Sequence, residues 1–160
     1  MARSKSDGVM PMTQFSVFLV NKPGVLARVC QQLADSKVNI MAMTMMDATE
    51  HGVLRIVAEK PEEAREALGK LDVQSAETPV IAAVMPNRPG AMADVVQRLA
   101  SARVHIDYAY CTTGSLGGKT IGIFRVSDVA RAQKILGERK PQRKEKATSR
   151  HANRARRTGS

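Results

Sequence analysis

The sequence predicts an α+β fold made of two ferredoxin-like units in tandem, each with the order βαββαβ. The chain repeats itself without a gap 66 residues further on, so that Asn21-Lys22-Pro23-Gly24 returns as Asn87-Arg88-Pro89-Gly90. In each copy an extended apolar run comes before this tetrapeptide and a helical pattern comes after it. A fixed repeat of this length is typical of one structural unit used twice, and the order of elements is that of a split βαβ arrangement, with helices on one face of an antiparallel sheet.

The elements of the first unit follow from periodicity and from end signals. Gln14–Val20 alternates as a strand, and Gly24–Ser36 carries apolar residues at the three-and-four spacing of a helix with one buried face. Pro61 opens a second helix, because proline is well suited to a first turn. The remaining strands of this unit are predicted at Val38–Asp47, at Val53–Glu59 and, as an edge strand, at Asp72–Thr78.

The second unit repeats this order but stops early. Where its final strand is due, the chain reads Gly137-Glu138-Arg139-Lys140, so this strand is predicted to be missing and its sheet edge must be covered or left open. Pro79 is interpreted as the break between the copies. The predicted elements of this unit are Val80–Met85, Gly90–Ala102, Val104–Thr112, Lys119–Val126 and Asp128–Leu136. The predicted domain limits are a disordered N-terminus at 1–13, units at 14–78 and 79–137, and a basic disordered tail at 138–160.

The repeated N-x-P-G tetrapeptide is predicted to form a corner between a strand and a helix. Asn would cap the helix, Pro would fit its first turn, and Gly would let a ligand approach the backbone. The amides of Val25 and Leu26 would then lack helical partners at the positive end of the helix dipole, which favours an anion such as a carboxylate. A well-formed cap alone explains the same three residues, and duplication of a fold also duplicates its caps, so both interpretations stay open.

Composition limits the class of protein. The chain has 160 residues, 43% of them apolar, which suits two small units that bury surface against each other. No apolar run approaches the ~18–20 residues of a membrane span. The N-terminus lacks the apolar segment of a signal peptide, and two cysteines form neither a disulfide framework nor a C-x-x-C pair. We expect a cytoplasmic protein without contact to a membrane.

The positive charge is concentrated at the C-terminus. Residues 138–160 carry nine Lys and Arg against two Glu, which accounts for +7 of the net +10 of the chain. A segment of this composition without an apolar face cannot bury enough surface to fold alone. It could bind nucleic acid or another acidic partner by counterion release, or simply keep the chain soluble. The candidate contacts are Arg139, Lys140, Arg143 and Lys144.

Together these motifs resemble the ACT domain, the regulatory module of amino-acid enzymes. The resemblance rests on a strand, the corner N-K-P-G-V-L and Val38-Asn39-Ile40 in the first copy, and on N-R-P-G-A-M with Val104-His105-Ile106 in the second. It covers about Gln14 to Leu136 with no catalytic domain attached. It implies a non-enzymatic amino-acid sensor that acts as a homodimer and modulates a partner enzyme.

The resemblance also implies where the ligand would bind. In the family an amino acid lies between the corner of one module and the second strand of its neighbour, so pseudo-symmetry would pair Asn21 with His105 and Asn87 with Asn39. Serine-binding members carry a His where this chain has Leu19 and Met85, which argues against serine. The implied binding residues are Asn21, Lys22, Pro23, Gly24, Val25, Leu26, Asn39, Ile40, Asn87, Arg88, Pro89, Gly90, Ala91, Met92, His105 and Ile106.

Three weaker signals have plainer explanations. The glycine-rich stretch 114–120 is one residue short of a phosphate-binding loop and precedes a strand instead of a helix, so we interpret it as a hairpin connection. Met41, Met43 and Met45 alternate along one strand and favour core filling or a contact between modules over a ligand pocket. Tyr108 and Tyr110 share a strand face, but the basic motif of RNA-recognition modules is absent, which favours sheet packing.

No catalytic, metal-binding or cofactor-binding constellation stands out. The three histidines lie in unrelated contexts, and no nucleophile is spaced with a base. The prediction is therefore a regulatory, amino-acid-binding protein. The alternative is an ACT-like dimerisation scaffold whose basic tail binds nucleic acid or another acidic partner.

Overall fold

A computed structural model describes residues 8–46, 51–112 and 118–138. The chain forms one antiparallel sheet with four helices among these residues. The first half contains β1 (Val9–Val20), α1 (Val25–Asp35), β2 (Ile40–Met46), β3 (His51–Ala58) and α2 (Pro61–Gly69). The second half contains β4 (Gln74–Pro86), α3 (Ala91–Ser101), β5 (Ile106–Cys111), β6 (Lys119–Val126) and α4 (Val129–Gly137). The predicted fold class is confirmed, and most elements lie within a few residues of their predicted limits. The predicted edge strand Asp72–Thr78 and the predicted strand Val80–Met85 are instead one continuous strand, β4, in the centre of the sheet.

The two units share one six-stranded sheet with the order β2-β3-β1-β4-β6-β5. Its two central strands are the longest, since β1 has 12 residues and β4 has 13. They pair antiparallel over ten residue pairs, from Val9 opposite Ala83 to Phe18 opposite Gln74. One half of each long strand therefore belongs to the sheet of the first unit, and the other half belongs to the sheet of the second unit.

The missing last strand of the second unit is supplied by the N-terminal half of β1. In the first unit, β4 begins beside β1 and closes the order β2-β3-β1-β4. In the second unit the equivalent position beside β4 is filled by 9–13, which pair with 79–83. The prediction that residues 9–13 are disordered was wrong, because their alternating side chains complete a sheet that would otherwise end in an open edge.

Pro79 does not separate two strands, as the sequence predicted, but lies inside β4 opposite Thr13. A proline cannot donate to a sheet ladder and is tolerated where no partner needs its N–H. The ladder between β4 and β6 covers Ile81–Pro86 only, so Pro79 lies beyond its end. The carbonyl of Pro79 is still used, because Arg125 Nη1 donates to it at 3.0 Å.

Two apolar cores lie between the sheet and the helices, one in each unit. Phe15, Val17 and Leu19 of β1 pack with Leu33 of α1 and Leu68 of α2 in the first. The second uses the corresponding face of β4 and the equivalent helix residue, Leu99. Side chains alternate along a strand, so the residues between these point to the opposite face of the sheet. None of the four described helices packs on that face.

The sheet curls so that this helix-free face is concave. Arg55 on β3 lies 4.1 Å from the ring centre of Tyr108 on β5, although β1, β4 and β6 separate the two strands. Across a flat sheet four strand spacings would amount to about 19 Å. A third apolar cluster lies on the concave face and includes Ala42, Val57, Val80, Ala82 and Ile123.

In the described part of the chain, none of the helices has the length and apolar character needed to cross a membrane. Several sequence predictions fall on other residues. The first seven residues, residues 47–50 between β2 and β3, most of the glycine-rich stretch and the basic tail from Arg139 onward lie outside the described residues.

Candidate functional site

Each N-x-P-G tetrapeptide ends in a type II turn followed directly by a helix. The amide of Val25 donates to the Lys22 carbonyl at 3.3 Å, and Gly24 has φ 85° and ψ −14°. A type II turn requires positive φ at its third residue and favours proline at its second, which explains Pro23-Gly24. In the second copy Gly90 has φ 85° and ψ −15°.

This geometry corrects the predicted roles of three residues. The helix begins at Val25 and its N-cap is Gly24, so Asn21 lies three residues before the cap and makes no capping hydrogen bond. Pro23 precedes the N-cap and is not in the first turn. The Val25 amide is engaged in the turn, so it is not one of the free donors that the sequence predicted.

The free donors lie one residue further along. Within the described residues, the amides of Leu26 and Ala27 have no acceptor, and those of Met92 and Ala93 match them in the second copy. Both helices have 11 residues, long enough to carry a full dipole. No atom lies within 4 Å of a Cβ built on Gly24. At Gly90 the corresponding position lies 3.8 Å from Arg88 Nη1. The first corner is thus open from above the glycine, and an anion at the second would approach beside a cation.

A cleft of about 180 Å³ adjoins the second corner. Its charged lining residues carry both signs: Arg88, Arg98 and Asp94. Arg88 Nη2 lies 3.7 Å from Asp94 Oδ2, and Arg98 Nη2 donates to the carbonyls of Ile135 and Glu138 at the end of α4. A cleft with cationic and anionic groups suits a zwitterion, whose carboxylate and ammonium need opposite partners.

The first corner has the same backbone but different charges. At the positions of Asp94 and Arg98 it carries Arg28 and Gln32. Its tetrapeptide residues are all exposed. The first corner therefore presents cations without the acidic group found in the second.

The second-strand residues Asn39 and His105 occupy equivalent, exposed positions just before β2 and β5. The Glu59 amide donates to the Asn39 carbonyl at 3.1 Å, and the Ser127 amide does the same for His105 at 3.0 Å. A cleft of about 400 Å³ lies beside His105 and Ile106. The start of each second strand is thus pinned by its backbone while its side chain stays accessible.

Sequence reasoning missed two cations beside these positions. Lys37 and Arg103 both have φ 56°, the only positive φ values of non-glycine residues in the described chain. Each stands where a helix ends in a Schellman motif, with Val38 and Val104 amides donating back to Leu33 and Leu99 carbonyls at 2.9 Å. Glycine is the usual residue there. The sequence signal for these residues was a Lys or Arg, in both copies, at the position where glycine usually ends a helix. Arg103 also lines the cleft of about 400 Å³.

Within one chain, the predicted pairs Asn21–His105 and Asn87–Asn39 are not brought together. β2 begins opposite Ala58 and β5 opposite Val126, both level with the middle of the sheet. Each corner follows the far end of a long central strand, about 20 Å further along the strand direction. The second strands are also the outer edges of the sheet. A seam between a corner and a second strand therefore requires a second chain.

Among the described residues, no three His, Cys, Asp or Glu side chains converge as a metal site would need. The proposed nucleic-acid contacts at Arg139, Lys140, Arg143 and Lys144 lie outside those residues.

Comparison with known proteins agrees with this architecture. A family model described as an ACT domain pair matches residues 10–148. The protein BT0572 from Bacteroides thetaiotaomicron is similar in structure, with a TM-score of 0.73 and 30% identity over 80% of this chain and 88% of that one. Curated proteins gave no match.

Regulatory subunits of aspartate kinase share the fold at lower identity. The ligand-free subunit from Thermus thermophilus has a TM-score of 0.61 and 17% identity over 83% of this chain and 97% of its own. The subunit from Thermus flavus has a TM-score of 0.53 and 18% identity over 82% and 95%.

Proposed function

This chain belongs to the family of paired ACT domains, and we propose that it is a non-catalytic regulator that binds an amino acid at its glycine corners. The observation that carries the proposal is the pair of free amides beside a glycine of positive φ at the start of α1 and again at the start of α3. Such amides bind a carboxylate well, because the donors and the helix dipole act together.

The second wall of the site would come from a second copy of the chain. In an antiparallel pairing of two β2 edges, the start of β2 in one copy lies beside the end of β2 in the other. That end is Met46, which lies opposite Val53 of β3. Val53 in turn lies opposite Phe18 of β1, three residues before Asn21. Asn39 of a second copy would then face Asn21, and His105 of a second copy would face Asn87 if two β5 edges paired.

The β2 edge has the character of a surface that is covered in the working protein. Met43, Met45 and Met46 are 42%, 42% and 51% exposed along it. An edge strand with exposed large apolar side chains is prone to pair with another strand. Methionine adapts its shape to a contact, which agrees with the interface role predicted for this strand.

A ligand bound in such a seam would touch both copies and would favour the dimer in which they meet. A small molecule shifts an assembly only by its difference in affinity between two states, and a site built from two chains supplies that difference. We propose that the regulated partner reads this change in packing.

The test is calorimetry of the full chain against the twenty amino acids, with sedimentation of the same samples. We expect heat from at least one amino acid, and a larger dimer fraction in its presence. Asn21→Ala and Asn39→Ala should each weaken binding about tenfold, as loss of a hydrogen bond to a charged group does. Gln133→Ala on α4 is the matched control. No heat with any amino acid would refute the proposal.

The second candidate is a scaffold whose tail binds nucleic acid, and the observation in its favour is the +7 charge of residues 138–160. It predicts RNA or DNA binding that falls steeply with salt. Deletion of 139–160 should abolish that binding and leave amino-acid binding unchanged. Binding that survives the deletion would exclude the tail as the contact.

A further inference from the structure

The concave face of the sheet holds a buried polar cluster centred on Gln14, which is 0% exposed. Gln14 Nε2 donates to the Tyr108 hydroxyl at 2.7 Å and to Ser16 Oγ at 3.2 Å. Gln14 Oε1 accepts from the Tyr110 hydroxyl at 3.0 Å. The Tyr108 oxygen is thus used as an acceptor, while the proton of that hydroxyl has no acceptor within the described residues.

Arg55 adds a second group of unused donors to this cluster. Its guanidinium stacks over the Tyr108 ring, and its Nε is buried without a hydrogen-bond partner. Its Nη1 contacts the sulfur of Met46, which is a weak acceptor. In the described part of the chain no carboxylate forms an ion pair with Arg55. A buried donor left unpaired is unfavourable, so the geometry calls for an acceptor.

Arg125 lies on the same face as Arg55 and, in contrast to it, has acceptors for its guanidinium. Its Nε lies 3.5 Å from Asp107 Oδ2 and its Nη1 donates to the Pro79 carbonyl. Arg55 has neither kind of partner among the described residues. Arg55 Nε is therefore available to an acceptor that the described residues do not supply.

An apolar rim lies directly beside Arg55 on the same face. Phe18 and Met46 both stand opposite Val53, two residues along β3 from Arg55. Phe18 is 45% exposed and Met46 is 51% exposed. Side chains two apart along a strand share a face, so the unpaired guanidinium and the exposed apolar row form one continuous surface.

We propose that this surface, made by Phe18, Met46, Arg55 and Tyr108, binds a small carboxylate that carries a short apolar tail. The free groups are donors only, which suits an acceptor-only ligand, and a guanidinium fork matches a carboxylate. The apolar row receives the tail. The contact between Arg55 and Tyr108 closes the face on its deeper side, so the occupant lies on the rim and is small. The site goes beyond the proposed function, because it lies on the face opposite the helices and does not depend on the corners.

Such a ligand would also link the two units. Arg55 belongs to β3 of the first unit and Tyr108 to β5 of the second, so one carboxylate between them would hold the sheet in its curled form. A ligand that binds one curvature better than another shifts the sheet toward it.

The chain offers its own optical probe for this site. Tyr108 and Tyr110 are its two tyrosines, and it contains no tryptophan. Titration of the full chain with sodium hexanoate, followed by tyrosine fluorescence, therefore reports on the cluster. Hexylamine and hexanamide are the matched controls, because they keep the tail and replace the carboxylate.

We expect a saturable change with hexanoate and none with the two controls. Arg55→Met keeps the length of the side chain and should weaken hexanoate binding about tenfold or more. Arg65→Met, on the surface of α2, should leave it unchanged. Arg55→Lys keeps a cation and guards against loss of the fold, and it should bind hexanoate between the two extremes. Amino-acid binding measured by calorimetry should be the same in Arg55→Met as in the wild type.

Three results would overturn the proposal. The first is the absence of a saturable response to hexanoate in the wild type. The second is an equal response in wild type and Arg55→Met while both remain folded. The third is a fluorescence change that follows protein concentration, with a matching change in sedimentation, because a second copy of the chain would then occupy the face. A failure of amino-acid binding at the corners would leave all three readouts unaffected.

Discussion

The two corners of the molecule have one backbone and two sets of side chains. Gly24 and Gly90 agree in φ and differ by one degree in ψ, and Lys37 and Arg103 share a φ of 56°. The groups around them diverge, since Arg28 stands where the second copy has Asp94. The difference teaches that the turn and the helix start are requirements of the fold, whereas the chemistry of each site is decided by residues outside the repeated tetrapeptide.

The largest effect should come from matched core truncations, which test whether the two units fold separately. Leu33→Ala and Leu99→Ala remove side chains that are 1% and 0% exposed in the two cores. Each should lower the free energy of unfolding by about 2–5 kcal/mol. Because β1 and β4 serve both units, each variant should still unfold in a single transition in urea, followed by circular dichroism. Two separate transitions would show that the shared strands do not couple the units.

A smaller loss should follow from replacing the turn glycines. Gly24→Ala and Gly90→Ala force a Cβ into a left-handed conformation, which costs about 1–2 kcal/mol. The two losses should be equal within error in chemical denaturation, since the two backbones agree. Gly69→Ala, inside the last turn of α2 and with no atom near its added Cβ, is the matched control and should not destabilise the protein. Unequal losses would mean that the two turns are held differently.

The opposite substitution at the helix ends should stabilise the protein. Lys37→Gly and Arg103→Gly relieve a left-handed side-chain residue and should each add roughly 0.5–1 kcal/mol to the free energy of unfolding. Thermal unfolding measures the gain. If these cations serve the ligand, both variants should bind it more weakly while being more stable. A gain in stability with unchanged binding would assign them no part in the site.

The smallest effect concerns the ion pair between Arg65 on α2 and Glu77 on β4. Arg65 Nε and Nη2 donate to Glu77 at 2.6 and 2.9 Å, and these hydrogen bonds lower the pKa of the exposed Glu77. Because the pKa of Glu77 is lower in the folded state, the ion pair stabilises the folded protein fully at a pH above the unfolded pKa of Glu. This stabilisation is lost as the pH falls through the folded pKa. Glu77→Gln should therefore be slightly less stable than wild type near pH 7. The difference should vanish in acid unfolding curves below the folded pKa, and a difference that persists there would exclude the ion pair as its cause.

The sequence predicted the fold from local patterns and failed where the fold depends on distant pairing. The repeat, the turn residues and the helical periodicity located all four of the described helices. Residues 9–13 carry no strong strand signal in their own sequence. They form a strand because β4, far along the chain, would otherwise lack a partner at 79–83. Proline normally breaks a strand because it has no N–H to donate. Pro79 is tolerated because the ladder between β4 and β6 ends at Ile81, so no partner needs that N–H.

The geometry of the corners was predicted only in part, and ligand binding by the named residues stays a prediction. The free amide of Leu26 followed from N-x-P-G, whereas the Val25 amide is used in the turn and the cap is Gly24 instead of Asn21. The pairing of Asn21 with His105 was wrong within one chain, because adjacency along the sequence does not say which strands become the outer edges of a shared sheet. Arg55 gave no signal at all, since its stacking on Tyr108 exists only in the curled sheet.

The exchange of the first strand has a consequence for synthesis on the ribosome. Residues 9–13 leave the exit tunnel well before their partners 79–83, so this segment waits for the whole first unit to be translated before it can pair. Domains commonly fold from the N-terminus onward during translation. Here the second unit cannot be completed without a segment that precedes the whole first unit, and a bulky insertion close to Val9 would disturb the unit that follows much later in the chain.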